Sequence, residues 1–208
     1  MTLFDQHTHS SRALPECSLL NLPMSVLMNP STVEWAASGL YSAGIHPLFE
    51  GDWDAALVHL EALLEQGRLA AVGECGLDRR SPVPMDRQAA FFERQMLLAD
   101  RYARPLIIHC VQAWDLLLQL HRRHPSGVQR IVHGFRGKPQ LAAQLLRAGL
   151  HLSFGWHYNV ASLRLCPADR YHIETDEAEV TLRQVWEKQQ RDLLPDDGKK
   201  CSQDTFPI

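Results

Sequence analysis

The run D-Q-H-T-H places Asp5, His7 and His9 two residues apart, so that in an extended strand one carboxylate and two imidazoles share a face. Other apolar runs end in the same kinds of residue. These are Glu74 in V-G-E-C, His109 in P-L-I-I-H-C, His133 in R-I-V-H-G-F, and Asp176 in Y-H-I-E-T-D. A histidine alone near a strand end reads as a cap or a core residue. Four histidines and two or three carboxylates converging on one mouth do not, because carboxylates buried without a counter-charge are costly. A divalent cation, and more naturally a pair, resolves that charge. Imidazole mixed with carboxylate suits zinc, manganese, iron or nickel, whereas an all-oxygen set favours magnesium or calcium; the residues do not choose among Zn, Mn, Mg, Fe and Ni.

To bring these groups together the chain needs a sheet whose strands all end on one side. Eight short apolar or β-branched runs are spaced for this, at 3–9, 18–22, 40–46, 69–75, 105–110, 130–135, 150–155 and 171–176. Helical periodicity fills most gaps between them, which predicts βα units and a parallel sheet. Asp52 reads as the N-cap of a helix to about Gln66, carried by Trp53, Ala56, Leu57, Leu60, Leu63 and Leu64. Further helices are predicted over 85–104, 113–124, 139–148 and 180–194, with a short one in S-T-V-E-W-A-A-S after Pro30. The expected fold is a compact (β/α)8 TIM-type barrel with shortened early βα connections, in which the carboxyl ends of the strands build the active site. Residues 1–194 form one domain in this reading, and 195–208, with prolines and charges but no period, form a flexible tail. Strict alternation would put Val72 inside with Glu74, Ile107 with His109 and Ile131 with His133, an apolar layer beneath a polar crown. The same alternation turns Cys75 and Cys110 outwards, as packing cysteines rather than nucleophiles.

Composition closes off other classes. With 208 residues, 45% hydrophobic and 22% charged, the chain is globular rather than fibrous or disordered. No window approaches a membrane span, and the N-terminus lacks the pattern of a secretory signal. Five scattered cysteines without a CxxC pair point to reduced thiols and a cytoplasmic location. A net charge of −3 argues against a protein that coats nucleic acid, though not against an enzyme that grips it locally. A monomer is expected.

Six blocks in order, D-Q-H-T-H, G-I-H-P at 44–47, V-G-E-C-G-L-D at 72–78, P-L-I-I-H-C, H-G-F at 133–135 and E-T-D at 174–176, resemble the signature blocks of the TatD family. That family comprises metal-dependent hydrolases on an amidohydrolase-like barrel, commonly described as TatD-related deoxyribonucleases. The resemblance implies a binuclear centre with His7, His9 and Asp176 on a first ion, His109 and His133 on a second, and Glu74 bridging both. It makes Asp176 the group that handles the proton of the attacking water. It further implies that His46 contacts substrate or neighbouring groups at the mouth, and that Asp5 and Glu174, one inward step below ligands, orient histidines. A structural link inside the barrel is the rival role for those two acids, and a plain turn histidine before Pro47 is the rival for His46. The departures lie between the first two strands and after E-T-D, where E-A-E-V replaces a proline-containing segment. They bear on substrate range more than on the metal ligands.

For the substrate, the loops after the strands matter. Arg12, Arg79, Arg80, Arg136 and Lys138 gather on the catalytic side, with Trp114, Trp156, His157, Tyr158 and Asn159 beside them. Cations for phosphates and flat rings for bases suit single-stranded nucleic acid. Ordinary solvated loop charges, with aromatics covering helix ends, are the plain alternative, and the family resemblance tips the reading to a divalent-metal-dependent phosphodiesterase acting on single-stranded or 3′-end DNA. The alternatives are a hydrolase of a small amide, lactone or phosphoester with the same centre, and a non-catalytic binding protein.

Overall fold

The computed structural model describes residues 3–10 and 16–194. Eight strands form one parallel sheet in the order β1 to β8: Asp5–Thr8, Ser18–Asn21, Leu40–Ala43, Ala71–Asp78, Leu106–Val111, Arg130–Val132, His151–Phe154 and Tyr171–Ile173. The sheet closes on itself just past β8. Asp176 N donates to His7 O at 3.0 Å and His9 N donates to Asp176 O at 3.2 Å, so the chain after the last strand pairs with the first. This is a TIM-type barrel.

The helices follow the expected order. They are α1 (Met24–Leu27), α2 (Trp53–Glu65), α3 (Met85–Arg101), α4 (Trp114–Arg123), α5 (Pro139–Arg147), α6 (Val160–Leu165) and α7 (Leu182–Leu193). Asp52 caps α2 by accepting from the Asp54 and Ala55 amides, and the six apolar positions of its period are all buried. Between β2 and β3 the expected helix after Pro30 is absent. Its place is taken by the single turn α1 and a 3-10 turn at Pro30–Thr32, while the following segment through Trp35 is irregular. Helix α6 was not expected; at six residues it is too short to show a period, and Asn159 starts it by accepting from the Ser162 amide. The predicted tail at 195–208 and Arg12 lie outside the described residues.

Two apolar layers result. Leu19, Ala71, Ile107 and Ile131 fill the barrel, and the opposite faces of the strands, including Val72, Cys75, Ile108, Cys110, Val132, Leu152 and Phe154, pack under the helices. Alternation therefore holds on β5 and β6 but fails on β4, where Ala71 rather than Val72 lies inside. The cause is a bulge: Val72 pairs with Leu106 but Cys75 with Ile108, so β4 carries one extra residue. Gly73 and Gly76 permit it. Both have positive φ (130° and 149°), and a Cβ at either would lie 2.4 Å and 2.0 Å from the carbonyl oxygens of Ile107 and His109. The bulge delivers Glu74 to the interior from the wrong parity.

Candidate metal centre

Glu74 is 6% exposed and stands at the centre of five histidines. Its Oε1 lies 2.6 Å from His133 Nε2, 2.7 Å from His109 Nδ1 and 3.3 Å from His46 Nε2. Its Oε2 lies 3.4 Å from His7 Nε2 and 3.5 Å from His9 Nε2, and those two nitrogens are each 3.8 Å from Asp176 Oδ1. The two carboxylate oxygens thus face two separate sets of nitrogens. Burial alone would push the Glu74 carboxyl up, but the surrounding imidazoles, His133 foremost, hold it well below the usual carboxylate range. Burial likewise opposes a charge on His133, and the Glu74 and Glu174 carboxylates reverse that and hold it well above the usual range.

The donor set fits divalent metal. His7 is fully buried with no hydrogen-bond partner on either ring nitrogen among the described residues, although Nε2 points between two carboxylates. An orphaned buried imidazole nitrogen is costly, and a cation between it and the acids would satisfy it. Among the described residues, three groups have ligand atoms close enough to share an ion: His7, His9 and Glu74; His7, His133 and Asp176; and His46, Glu74 and His109.

His46 differs from the others in its proton. Its Nδ1 accepts from the Leu48 amide at 3.1 Å, so a neutral ring carries its hydrogen on Nε2, facing Glu74. It is therefore a hydrogen-bond donor towards Glu74, which argues against a ligand. Its loop is fixed from α3, where Gln95 accepts from the Ile45 amide at 2.6 Å.

Of the two supporting acids, Glu174 stands beside a histidine. Its Oε1 lies 3.7 Å from His133 Nδ1 and accepts from the Gly134 amide at 2.5 Å. Asp5 corrects the expectation of three inward groups on β1. A register shift between Asp5 and Thr8 takes it out of the histidine cluster, and it bonds Thr175 instead, accepting from the amide at 3.0 Å and the hydroxyl at 2.7 Å. Burial pushes its carboxyl up to about 6. The structural role, then, is the one it has. Cys75 and Cys110 are buried, as expected for packing, and burial pushes both thiols up, Cys110 to about 12.

Beside His109, His133 and Asp176 opens a cleft of about 400 Å³, walled by Arg80, Gln112, Trp114 and Arg136. Arg79 is not on that wall; it is drawn away by Gln112 O at 2.7 Å and Asp115 at 3.2 Å. Trp156 and His157 are not on it either. Lys188 stands 5.4 Å over the Trp156 ring and 3.8 Å over that of Tyr158, whose hydroxyl donates to Asp192, so these aromatics tie the β7 loop to α7. Lys138, the cap residue of α5, is likewise outside the wall.

Two residues escaped the sequence reading. Thr175 is the partner of Asp5, and Asp78 carries the second nitrogen of His109, accepting from Nε2 at 3.1 Å. Asp78 closes the V-G-E-C-G-L-D block four residues after Glu74, on the same side of the strand, and that spacing was the available signal.

Fold and cluster together define a (β/α)8 barrel with a candidate metal centre of histidines and carboxylates at the carboxyl ends of its strands. The chain belongs to the family of TatD related DNases, whose model matches residues 29–190. It is 35% identical over 150 residues to a 3'-5' ssDNA/RNA exonuclease TatD of Cronobacter sakazakii, covering 65% of this chain and 56% of that protein. It is 36% identical over 121 residues to an uncharacterized metal-dependent hydrolase, YjjV, of Escherichia coli K12, covering 56% and 47%. The chain thus spans about half the length of these curated relatives. The crystal structure of that Escherichia coli protein superposes with a TM-score of 0.69 at 23% identity, over 84% of this chain and 78% of the other. A TatD family hydrolase from Entamoeba histolytica gives 0.60 at 17% identity, over 84% and 73%. These two likenesses concern the fold. No described helix is long and apolar enough to cross a membrane.

Proposed function

We propose that this chain is a binuclear metal-dependent phosphodiesterase that cleaves single-stranded or 3′-end DNA with an activated water. The observation that carries the reading is the division of labour on Glu74: one oxygen faces His7 and His9, with Asp176 behind them, and the other faces His109 and His133. On this reading His7, His9 and Asp176 hold one ion, His109 and His133 the other, and Glu74 is shared. Divalent ions so held supply a water of lowered pKa and polarise a phosphoryl oxygen. The remaining chemistry belongs to the side chains. Asp176, with a quarter of its side chain exposed at the floor of the cleft, accepts the water's proton on a carboxylate oxygen and returns it to the leaving group. His46 Nε2–H is directed at Glu74 Oε1, 3.3 Å away, and helps to hold that carboxylate in place.

Arg136 lines the cleft and has no ion pair or hydrogen bond among the described residues, so its charge is available to a phosphate; Trp114 beside it offers a ring edge or face to a base. The exonuclease relative supports this substrate class. A cytoplasmic monomer with reduced thiols is part of the proposal, supported by four free cysteines among the described residues.

The test is metal analysis of the purified chain followed by turnover of a labelled single-stranded oligonucleotide, a generic phosphodiester and a lactone. Two equivalents of metal and preferential cleavage of the oligonucleotide are expected. Turnover of the lactone with the oligonucleotide untouched would overturn the nuclease reading and leave a small-substrate hydrolase.

A further inference from the structure

Asp78 is the last residue of β4, and its side chain is fully buried although it is charged. Three groups of Arg80 reach it: the amide donates to Oδ1 at 2.8 Å, Nε to Oδ1 at 3.1 Å and Nη2 to Oδ2 at 2.8 Å. The fourth partner is His109 Nε2, 3.1 Å from Oδ2. The backbone is clamped as well, since Gln88 of α3 accepts from the Asp78 amide at 2.8 Å and donates to its carbonyl at 3.1 Å. A carboxylate paired with a guanidinium in this way only accepts hydrogen bonds, so His109 Nε2 must carry a hydrogen. The lone pair of the neutral ring is then on Nδ1, the atom 2.7 Å from Glu74 Oε1.

We propose that Asp78 is a positioning residue that fixes His109 in the Nε2–H form, leaves Nδ1 as the metal-binding atom, and at the same time holds the Arg80 guanidinium in the cleft for an anionic group of the substrate. Two histidines meet the same oxygen of Glu74 with opposite proton assignments. His46, held at Nδ1 by the Leu48 amide, presents N–H; His109, held at Nε2 by Asp78, presents a lone pair. One carboxylate therefore gathers a donor and a ligand, and the residues that decide which is which lie outside the cluster. Arg80 links this arrangement to the substrate side, because its side chain is 60% exposed and lines the cleft while its other face neutralises Asp78. The inference rests on the metal reading of the site, and its Arg80 arm rests also on an anionic substrate.

The experiment uses the full chain loaded with zinc. Nitrogen-15 NMR of the histidine rings should find His109 protonated at Nε2 and zinc-shifted at Nδ1; a ring protonated at Nδ1, or bound through Nε2, overturns the proposal. Asp78→Leu should weaken one of two zinc affinities by about 10–100-fold, the usual effect of losing a partner behind a ligand. Asp78→Asn, whose amide oxygen can still accept from Nε2–H, should recover most of that affinity yet raise KM for an oligonucleotide with kcat little changed, because Arg80 has lost its counter-charge. Unchanged zinc affinities in a folded Asp78→Leu protein overturn it equally. Should that variant fail to fold, the ring assignment in the unaltered protein decides the matter alone. Zinc affinity and ring protonation are read without substrate, so loss of the nuclease reading would leave this result standing.

Discussion

Asp5 and Thr175 lock the first strand to the chain just past the last: the Asp5 carboxylate takes both the amide and the hydroxyl of Thr175, at 3.0 and 2.7 Å, in a buried site. The next residue is Asp176, whose amide continues the pairing to His7. The closure of the barrel and the placing of a carboxylate of the candidate metal centre are thus one feature. Asp5→Ala should orphan the Thr175 amide at a cost of about 1–3 kcal/mol, or a fall in Tm of roughly 2–12 °C for a chain of this size. Asp5→Asn, which keeps an acceptor for that amide, should be milder. Thermal melts of both variants check this, and equal losses would show that the charge rather than the acceptor matters.

Glu74→Ala removes the carboxylate whose two oxygens face the two sets of nitrogens, so metal content and activity should fall together. Affinity should drop by more than the about 10–100-fold typical of an outer partner. Metal analysis after dialysis reads the outcome, and two retained equivalents would refute the shared role.

The two rim arginines should separate. Arg136→Ala should raise KM for oligonucleotides and lower the salt slope of binding by about 1, with little change on a small neutral ester. Arg79→Ala breaks an exposed pair with Asp115, worth about 0–1 kcal/mol, and should leave that slope alone. A salt titration of binding for each variant distinguishes them.

Acid stability should depend on the foot of the barrel, where His151 Nδ1 and His172 Nε2 lie 3.0 Å apart. Burial, helped by His151, pulls His172 down from 6.5 to about 4, so the folded protein resists a proton that the unfolded chain accepts. Its contribution is complete above pH 6.5 and is lost as pH falls from 6.5 through 4, on the order of 3 kcal/mol across that window. His172→Gln should flatten the acid limb of Tm against pH. An unchanged limb would assign the acid loss to other groups.

The strand ends of β5 and β6 were legible because alternation there is unbroken: an isoleucine below, a histidine above. On β4 and β1 the same rule misled. An extra residue on β4, permitted by Gly73 and Gly76, moved Ala71 inside in place of Val72, and a shift on β1 took Asp5 to Thr175. A period of two carries no mark of a bulge except the glycines, and these also read as ordinary turn residues. Arg79 and Arg80 mark a second limit. Neighbours on a turn point apart, and their partners Asp115 and Asp78 come from different elements, so only the folded chain shows which faces the cleft.

Asp176 carries the sharpest test of the mechanism, because two roles and one backbone requirement meet in it. Its φ is 54°, in the left-handed region that Asn and Asp tolerate best among residues with a Cβ. Alanine would therefore disturb the backbone as well as the carboxylate, whereas Asp176→Asn keeps the conformation and an oxygen able to ligate, and removes only the ability to take a proton near neutral pH. Metal content should stay within a few-fold of the unaltered protein while kcat falls by the roughly 10²–10⁴ typical of a lost general base. The pH profile should also lose the limb governed by that base. Glu174→Gln serves as the companion: it meets the Gly134 amide and His133 from below rather than the cleft, so its loss should move Tm more than kcat. Near-normal turnover in Asp176→Asn, with metal bound, would remove the proton-transfer role and leave Asp176 as a ligand only.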